Sequence, residues 1–262
     1  MGEPPAPGPL PRTRRSLLTG SAVSLLGVVA AAAGLAGHDI APGLPTRSAR
    51  PTARAGPVAA PVRWRFDGVG RRTALTFDDG PDPRWTPRVL DALAAHDAKA
   101  TFFMVGERAQ RHPELVARVV AAGHEVGNHT WSHLRIDRLD LHQVLGQLSR
   151  THDTLTQLAG RPPTLFRPPW GEIDAVGLLA AAELDYRVVL WSDLVRGTSP
   201  EADLRTLFAT MQPGAMILGH DGGPTPNARL MAAFRTMVAH LTATGHVLTT
   251  VTEALREDLS GL

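Results

Sequence analysis

Between residues 73 and 251 the sequence alternates short apolar runs with stretches of helical periodicity, and this alternation restricts the fold more than any other feature. The apolar runs predict strands at 73–78, 100–105, 124–128, 164–167, 187–192, 215–219 and 247–251. The stretches between them predict helices at 87–96, 113–122, 141–159, 174–182, 201–211 and 228–244. Strands that alternate with helices form parallel sheets, because each helix carries the chain back across the sheet. We therefore expect an α/β fold of about seven parallel strands, either open or closed into a barrel.

In such folds the functional groups lie at the carboxyl ends of the strands. Two adjacent aspartates, Asp78 and Asp79, end the first predicted strand in the sequence LTFDDGP. An Asp-Gly pair is also a common way to end a strand, so this feature alone indicates only a turn. His129 and His133 follow the third predicted strand and are four residues apart, so on a helical turn both imidazoles would point the same way. Taken alone, this spacing is more typical of surface histidines than of a ligand pair.

The aspartates and the histidines together fit a hydrolytic metal site. Two histidines, one aspartate and a water molecule form a known zinc arrangement. Neighbouring residues that leave a strand point in different directions, so one aspartate can bind the metal while the other accepts a proton from the water. A divalent cation would also relieve the repulsion between the two carboxylates.

Four motifs extend this interpretation: TFDDG at 76–80, HTWSH at 129–133, RPPWG at 167–171 and LGHD at 218–221. Their order and approximate spacing resemble those of the polysaccharide deacetylases, the NodB-homology domain of carbohydrate esterase family 4, over about 72–255. The resemblance implies a deformed (β/α) barrel. It also implies a metal-dependent hydrolase that removes N-acetyl or O-acetyl groups from a polysaccharide outside the cytoplasm. The implied metal is Zn²⁺, with Co²⁺, Ni²⁺ or Mn²⁺ as alternatives.

The resemblance assigns a role to each catalytic candidate. Asp78 would be the general base that activates the metal-bound water, and Arg167 would orient it. His220 would be the general acid that protonates the leaving amine. The metal ligands would be Asp79, His129 and His133.

The resemblance also implies a substrate groove. Trp170 stands where the family usually has tyrosine; its backbone N–H would help to hold the oxyanion, and its ring, with Pro169, would line the groove. Trp191 and Leu218 would form the pocket for the acetyl methyl group. The segment LWSDLVRGTSP departs from the family pattern, because it places Asp193 two residues after Trp191 and has no second Asp-Trp pair. On a regular strand Trp191 and Asp193 would face the same side, which permits but does not require a contact between Asp193 and His220.

The first 62 residues differ in character from the rest of the chain. Paired arginines, Arg14 and Arg15, precede an apolar run at 17–36, a layout typical of a twin-arginine export signal or a membrane anchor at 1–37. The Pro-, Ala- and Arg-rich stretch 38–62 predicts a flexible tether, and 63–262 would be the catalytic domain. We expect an exported protein of the cell envelope or a secreted one, either cleaved or anchored by an uncleaved helix.

The charge distribution and the composition limit the classes of partner and of chemistry that the chain can have. The chain has a pI of 9.8, but six of its 27 basic residues and only two of its 25 acidic residues precede residue 63. The remaining 21 basic (27 − 6) and 23 acidic (25 − 2) residues make the predicted domain slightly acidic, so nucleic acid is not an expected partner. There is no cysteine, which excludes disulfides and thiolate nucleophiles.

The candidate substrates are peptidoglycan, chitin-like oligomers and acetylated xylan, and a monomer is expected. Two alternatives to the deacetylase remain open from the sequence. One is a sugar-binding protein that has lost catalysis, and the other is a metal-dependent esterase or amidase that acts on a non-sugar substrate.

Overall fold

The computed structural model describes residues 60–67 and 71–258, all of them within one unit, Ala53–Leu262. The predicted leader at 1–37 and most of the tether at 38–62 lie outside these residues. Within the described ranges no helix combines the length and the apolar character that a membrane crossing requires.

One mainly parallel sheet forms the centre of the fold. Its strands in chain order are β1 Val62–Arg63, β2 Arg72–Asp78, β3 Thr101–Met104, β4 Glu125–Asn128, β5 Leu165–Phe166, β6 Arg187–Val189, β7 Asp193–Leu194, β8 Met216–His220 and β9 Val247–Thr249. Their order across the sheet is β1-β6-β5-β4-β3-β2-β8-β7, and β9 pairs with the beginning of β2. Every pair of these strands is parallel. The predicted parallel sheet of a deformed barrel is therefore confirmed.

Helices surround the sheet. They are α1 Thr86–Ala94, α2 Gly106–Arg111, α3 Pro113–Ala121, α4 Leu141–Ala159, α5 Ala175–Glu183, α6 Pro200–Thr210, α7 Ala228–Ala243 and α8 Val251–Asp258. Each of the predicted helices is present with ends shifted by at most two residues. The sequence reasoning missed α2, which is only six residues long, and α8, which starts where a strand was expected to end.

The predicted strand 187–192 is wrong in its second half. β6 ends at Val189, and the chain enters the separate strand β7 only at Asp193. The guanidinium of Arg167 explains part of this break, because its Nε donates to the carbonyl of Val189 at 3.0 Å and its Nη2 to that of Leu190 at 2.8 Å. A strand that continued past Val189 would need such carbonyls for pairing with its neighbours.

Apolar residues on both faces of the sheet hold the helices and the interior together. On β2, Leu75 and Phe77 belong to the large cluster that includes Phe234 of α7. Ala74 belongs to a smaller cluster with Phe103 and other interior residues. The alternation follows from the period of two along a strand, and it leaves Thr76 and Asp78 on the same face as Ala74.

The register of the sheet determines where the polar groups meet. Asp78 pairs with His220 of β8, and Thr76 pairs with Leu218. On the other side β3 connects β2 to β4, whose last residue, Asn128, directly precedes His129. The C-terminal ends of β2, β4 and β8 therefore lie at one edge of the sheet, the carboxyl edge, and the predicted site residues lie along it.

Candidate metal centre and active site

Three side chains converge at the carboxyl edge in an arrangement suited to a metal ion. Asp79, His129 and His133 each offer one ligand atom, and these atoms all lie within 4.8 Å of one another. Oδ1 of Asp79 lies 2.9 Å from Nε2 of His133 and 3.4 Å from Nε2 of His129. Nevertheless this buried oxygen accepts no hydrogen bond from the part of the chain that the structure describes. A buried acceptor without a donor, close to two ring nitrogens, is the geometry of a ligand set that a cation completes.

His129 is held in a form that can bind a metal. Its Nδ1 lies 2.7 Å from the backbone carbonyl of Arg167, which accepts a hydrogen bond only if Nδ1 carries the proton. In the neutral ring Nε2 then keeps a free lone pair that points toward Asp79. A backbone carbonyl that accepts from the other ring nitrogen is the usual feature that fixes the tautomer of a metal-binding histidine.

The electrostatics of the site also favour a cation. Burial alone would raise the pKa of Asp79, but the adjacent imidazoles of His129 and His133 hold that pKa well below its usual range. Burial would lower the pKa of His129, but the carboxylates of Asp78 and Asp79 outweigh it and raise that pKa above its ordinary value. The site thus stabilises positive charge between its carboxylates and imidazoles. A divalent ion would supply that charge.

The two histidines are not on a helical turn, contrary to the expectation from their spacing. Residues 129–133 form a loop in which Thr130 and His133 have left-handed backbone angles, with φ values of 66° and 56°. Side chains fix this loop: Oδ1 of Asn128 accepts from the N–H of Thr130, and Oγ1 of Thr130 accepts from the N–H of His133. The imidazoles converge because these two residues reverse the backbone, and not because of helical periodicity.

Asp78 is next to the ligand cluster but is held by a different partner. Its Oδ1 accepts a 2.8 Å hydrogen bond from Nη1 of Arg167. Arg167 is fully buried, and the same Nη1 also donates to Oγ1 of Thr76 at 2.7 Å. Oδ2 of Asp78 lies 3.8 Å from Nε2 of His129. The arginine thus fixes one oxygen of Asp78 and leaves the other facing the cluster.

The predicted groove residues lie around this cluster. The ring of Trp170 is 55% exposed and its centroid is 4.4 Å from that of His133. Trp170 has φ 59° in the short 3₁₀ turn Pro169–Gly171, in which Pro169 is buried. Gly171 packs against Trp191, whose ring would lie 2.8 Å from a methyl group at that position. Leu218 is buried on β8, on the same face as His220.

The comparisons with known proteins agree with this geometry. Residues 67–189 match the family described as polysaccharide deacetylase. A peptidoglycan-N-acetylglucosamine deacetylase of Bacillus cereus is 36% identical over 200 residues, which cover 74% of this chain and 93% of that protein. The chain belongs to the polysaccharide deacetylase family. Another Bacillus cereus protein of the same name is 40% identical over 163 residues, and the match spans 61% of this chain but only 58% of that relative's length.

A solved structure supports the family fold. The Bc1960 peptidoglycan N-acetylglucosamine deacetylase, in complex with 4-naphthalen-1-yl-N-oxidanyl-benzamide, superposes with a TM-score of 0.71 at 32% sequence identity. The match covers 74% of this chain and 92% of that chain. The deformed barrel of this polysaccharide deacetylase is therefore the fold of its family.

One candidate residue of this polysaccharide deacetylase does not reach the site. Asp193 pairs in register with Ile217, and residues 217 and 220 point to opposite faces of β8. Oδ2 of Asp193 instead accepts a 2.7 Å hydrogen bond from Oγ of Ser192. Nδ1 of His220 is buried without a partner among the described residues. The contact with His220 that strand parity permitted is absent among the described residues, because the chain breaks after Val189 and Asp193 enters β7 in register with Ile217.

The sequence reasoning assigned no role to Asp221, although it belongs to the motif LGHD. This residue is fully buried; its N–H donates to the carbonyl of Asp78 at 3.1 Å, and its Oδ2 accepts a 2.5 Å hydrogen bond from Oγ1 of Thr86. Its other oxygen has no partner in the described part of the chain. Burial raises the pKa of Asp221 to about 7, and the nearby carboxylates of Asp79 and Asp78 add to this effect. Asp221 thus lies beneath the site and connects the end of β2 to the start of α1.

Proposed function

We propose that this chain is a metal-dependent deacetylase that removes N-acetyl groups from peptidoglycan in the cell envelope. The observation that carries the proposal is the convergence of Asp79, His129 and His133 beside an Asp78 that Arg167 holds in place. Family membership supports it, because the relatives reported above are named peptidoglycan-N-acetylglucosamine deacetylases.

The ligand set fits Zn²⁺. Two imidazole nitrogens and one carboxylate oxygen are typical of catalytic zinc sites, which keep a further position open. When bound, the ion would polarise the acetyl carbonyl and lower the pKa of a water molecule at the open position. The unpaired Oδ1 of Asp79 and the oriented ring of His129 are the features of this chain that support a metal here.

The protein side chains would divide the proton transfers between them. Asp78, through its free Oδ2, would accept a proton from the attacking water as the new bond from oxygen to the acetyl carbon forms. His220 would give a proton to the amide nitrogen as the bond between carbon and nitrogen breaks, because an amine is a poor leaving group unless it is protonated. The products are acetate and a glucosamine or muramic acid residue with a free amino group, so atoms and charges balance.

The remaining residues would position the glycan. The exposed ring of Trp170 would stack against a sugar, and its backbone N–H would stabilise the oxyanion. Trp191 and Leu218 would receive the acetyl methyl group. Arg167 would keep Asp78 correctly aimed, because its buried guanidinium donates a hydrogen bond to one oxygen of that carboxylate.

We further propose that the chain acts outside the cytoplasm. The paired arginines before the apolar run 17–36 and the Pro-rich stretch that follows support export and a tether to the envelope. This placement would bring the site to a wall polymer.

The experiment that tests the function measures acetate release by the full chain from peptidoglycan, chitin oligomers and acetylated xylan. Each substrate is tested after chelation, and again after Zn²⁺ is restored. Asp78→Asn is the test variant, and Asp91→Asn, at an exposed position on α1, is the matched control. We expect metal-dependent release from peptidoglycan that Asp78→Asn abolishes and Asp91→Asn retains.

Two other results would replace the proposal. If the chain binds Zn²⁺ and glycan but releases no acetate from any polymer, it is a sugar-binding protein. If it releases acetate only from small non-sugar esters or amides, the same site serves a different substrate class.

A further inference from the structure

We infer that a pocket beside the metal centre, the Arg108 pocket, binds a carboxylate of the glycan substrate. The inference rests on the proposed function and narrows its substrate class. The pocket has a volume of about 270 Å³, and its lining includes Pro81, Asp82, Arg108, Arg111, His112 and Gly223. It adjoins the metal centre through two of its lining residues: a methyl group at Gly223 would lie 2.6 Å from Oδ2 of Asp79, and Arg108 donates to the backbone carbonyl of Asp79.

The charge of Arg108 is not balanced by an acidic neighbour. Its Nη1 donates a 2.6 Å hydrogen bond to the backbone carbonyl of Asp79, which is a neutral acceptor. Across the described residues no carboxylate forms an ion pair with this half-buried guanidinium. Such a group favours an anionic ligand, because burial strengthens its interactions and removes water that would otherwise solvate the charge.

The other charged residues of the Arg108 pocket are already engaged. Arg111 lies 3.4 Å from Glu107, and His112 lies 3.5 Å from Glu114. Oδ1 of Asp82 accepts hydrogen bonds from the backbone N–H groups that follow it, at 2.8 and 3.1 Å. Asp82 is therefore committed to its own turn, and Arg108 remains as the cation that a ligand can use.

The geometry of a guanidinium defines the ligand. Its planar fork of donors matches a carboxylate better than it matches a neutral hydroxyl. A chitin oligomer offers no carboxylate. A glycan with a lactyl ether whose carboxyl group carries no peptide offers one next to the acetamido group, and a glycan with a uronic acid offers one on the neighbouring sugar. The Arg108 pocket thus predicts selection of an anionic glycan over a neutral one.

The test measures binding rather than turnover, so that it does not depend on the proposed reaction. The full chain is titrated by calorimetry after chelation, and again with Zn²⁺. Three disaccharides are compared: N-acetylglucosamine linked to N-acetylmuramic acid, N-acetylglucosamine linked to glucuronic acid, and the neutral dimer of N-acetylglucosamine. We expect one of the two acidic probes to bind on the order of tenfold more tightly than the neutral dimer. Which one does so identifies the lactyl or the uronic source of the carboxylate.

Variants and salt separate a binding role of Arg108 from a structural one. Arg108→Gln is expected to abolish the preference while the neutral dimer and Zn²⁺ bind as before. The matched control Arg118→Gln, at an exposed position on α3, is expected to keep the preference. In the unmodified chain, raising the salt concentration is expected to weaken the binding of the acidic probe and to leave the binding of the neutral dimer unchanged. This measurement does not depend on whether a variant folds. Equal affinity of all three probes, or equal loss of all three in Arg108→Gln, would overturn the inference. Loss of acetate release with the preference retained would instead refute the proposed function alone.

Discussion

Replacing Asp221 with asparagine is expected to change how the stability of this fold depends on pH. The carboxyl group is fully buried, and only one of its oxygens has a partner among the described residues, the hydroxyl of Thr86. Burial, with the nearby charges of Asp79 and Asp78, raises its pKa from 3.8 to about 7. In the unfolded chain these causes are absent, so the group ionises near its ordinary pKa.

The sign and size of the effect follow from these two values. Between pH 4 and pH 7, approximately, the folded chain keeps a proton that the unfolded chain has released, so the free energy of unfolding falls as the pH rises. The loss is about 1.4 kcal/mol per pH unit up to pH 6, or roughly 2 kcal/mol from pH 5 to pH 7, and it levels off above pH 7. Asparagine has no proton to release and can still accept from Thr86. The free energy of unfolding of Asp221→Asn, minus that of the unmodified chain, should therefore increase by about 3 kcal/mol as the pH is raised from 5 to 8.

Urea denaturation of the full chain, followed by tryptophan fluorescence at pH 5, 6, 7 and 8, measures this difference. Asp203→Asn is the matched control, because Asp203 is also buried but the Arg196 guanidinium holds the pKa of Asp203 below its usual value. In the unmodified chain Asp203 is ionised above pH 5 in both the folded and the unfolded state, so the stability difference between Asp203→Asn and the unmodified chain should not vary over this range. A difference for Asp221→Asn that is equally flat would refute the reasoning, since it would mean that the buried group ionises at its ordinary pKa.

Three shorter predictions concern the site. His133→Ala removes one of the three proposed ligands and should lower the affinity for Zn²⁺, measured by competition with a fluorescent chelator; an unchanged affinity would exclude His133 as a ligand. Trp170→Ala should raise the KM for peptidoglycan roughly two- to tenfold, because the exposed ring would stack against a sugar. The Tm should not change, since the ring does not support the core. A fall in kcat with an unchanged KM would contradict a role of the ring in binding alone. Asp193→Asn should leave kcat and its pH profile unchanged, because Asp193 bonds to Ser192; a shifted limb in the profile would show that it does contact His220.

The fold could be predicted from the sequence because its signals are local and repeated. Helix α4 matches its predicted bounds of 141–159, since Asp140 and Gln143 cap its first turn reciprocally and Gly160 closes its last turn with φ 71°. Several of the missed elements are too short for their periodicity to be recognised. Helix α2 has fewer than two turns, and β1 and β7 have two residues each.

The site was only partly predictable, because residue types and spacing carry no information about backbone reversal. The sequence predicts that Asp79, His129 and His133 converge, and the structure brings them together; the helical turn that their spacing predicts for the two histidines is wrong. Asp79, Thr130, His133 and Trp170 all have positive φ values without being glycine. Conformations of this kind cost of order 1–3 kcal/mol each and persist only where surrounding contacts impose them. Those contacts come from residues such as Asn128 and Gln147, which lie outside the turns that they fix.

The burial of Asp221 depends on two sequence motifs together, and neither motif alone predicts it. A methyl group at Gly80, in TFDDG, would collide with the carboxyl group of Asp221, in LGHD. A methyl group at Gly222, directly after LGHD, would collide with the backbone carbonyl of Asp79. Each glycine taken alone indicates a turn at the end of a strand. Together they allow two turns about 140 residues apart in the chain to pack against each other without side chains between them. Asp221 is buried by this packing, so its raised pKa depends on both glycines, and the sequence of either motif alone cannot predict it.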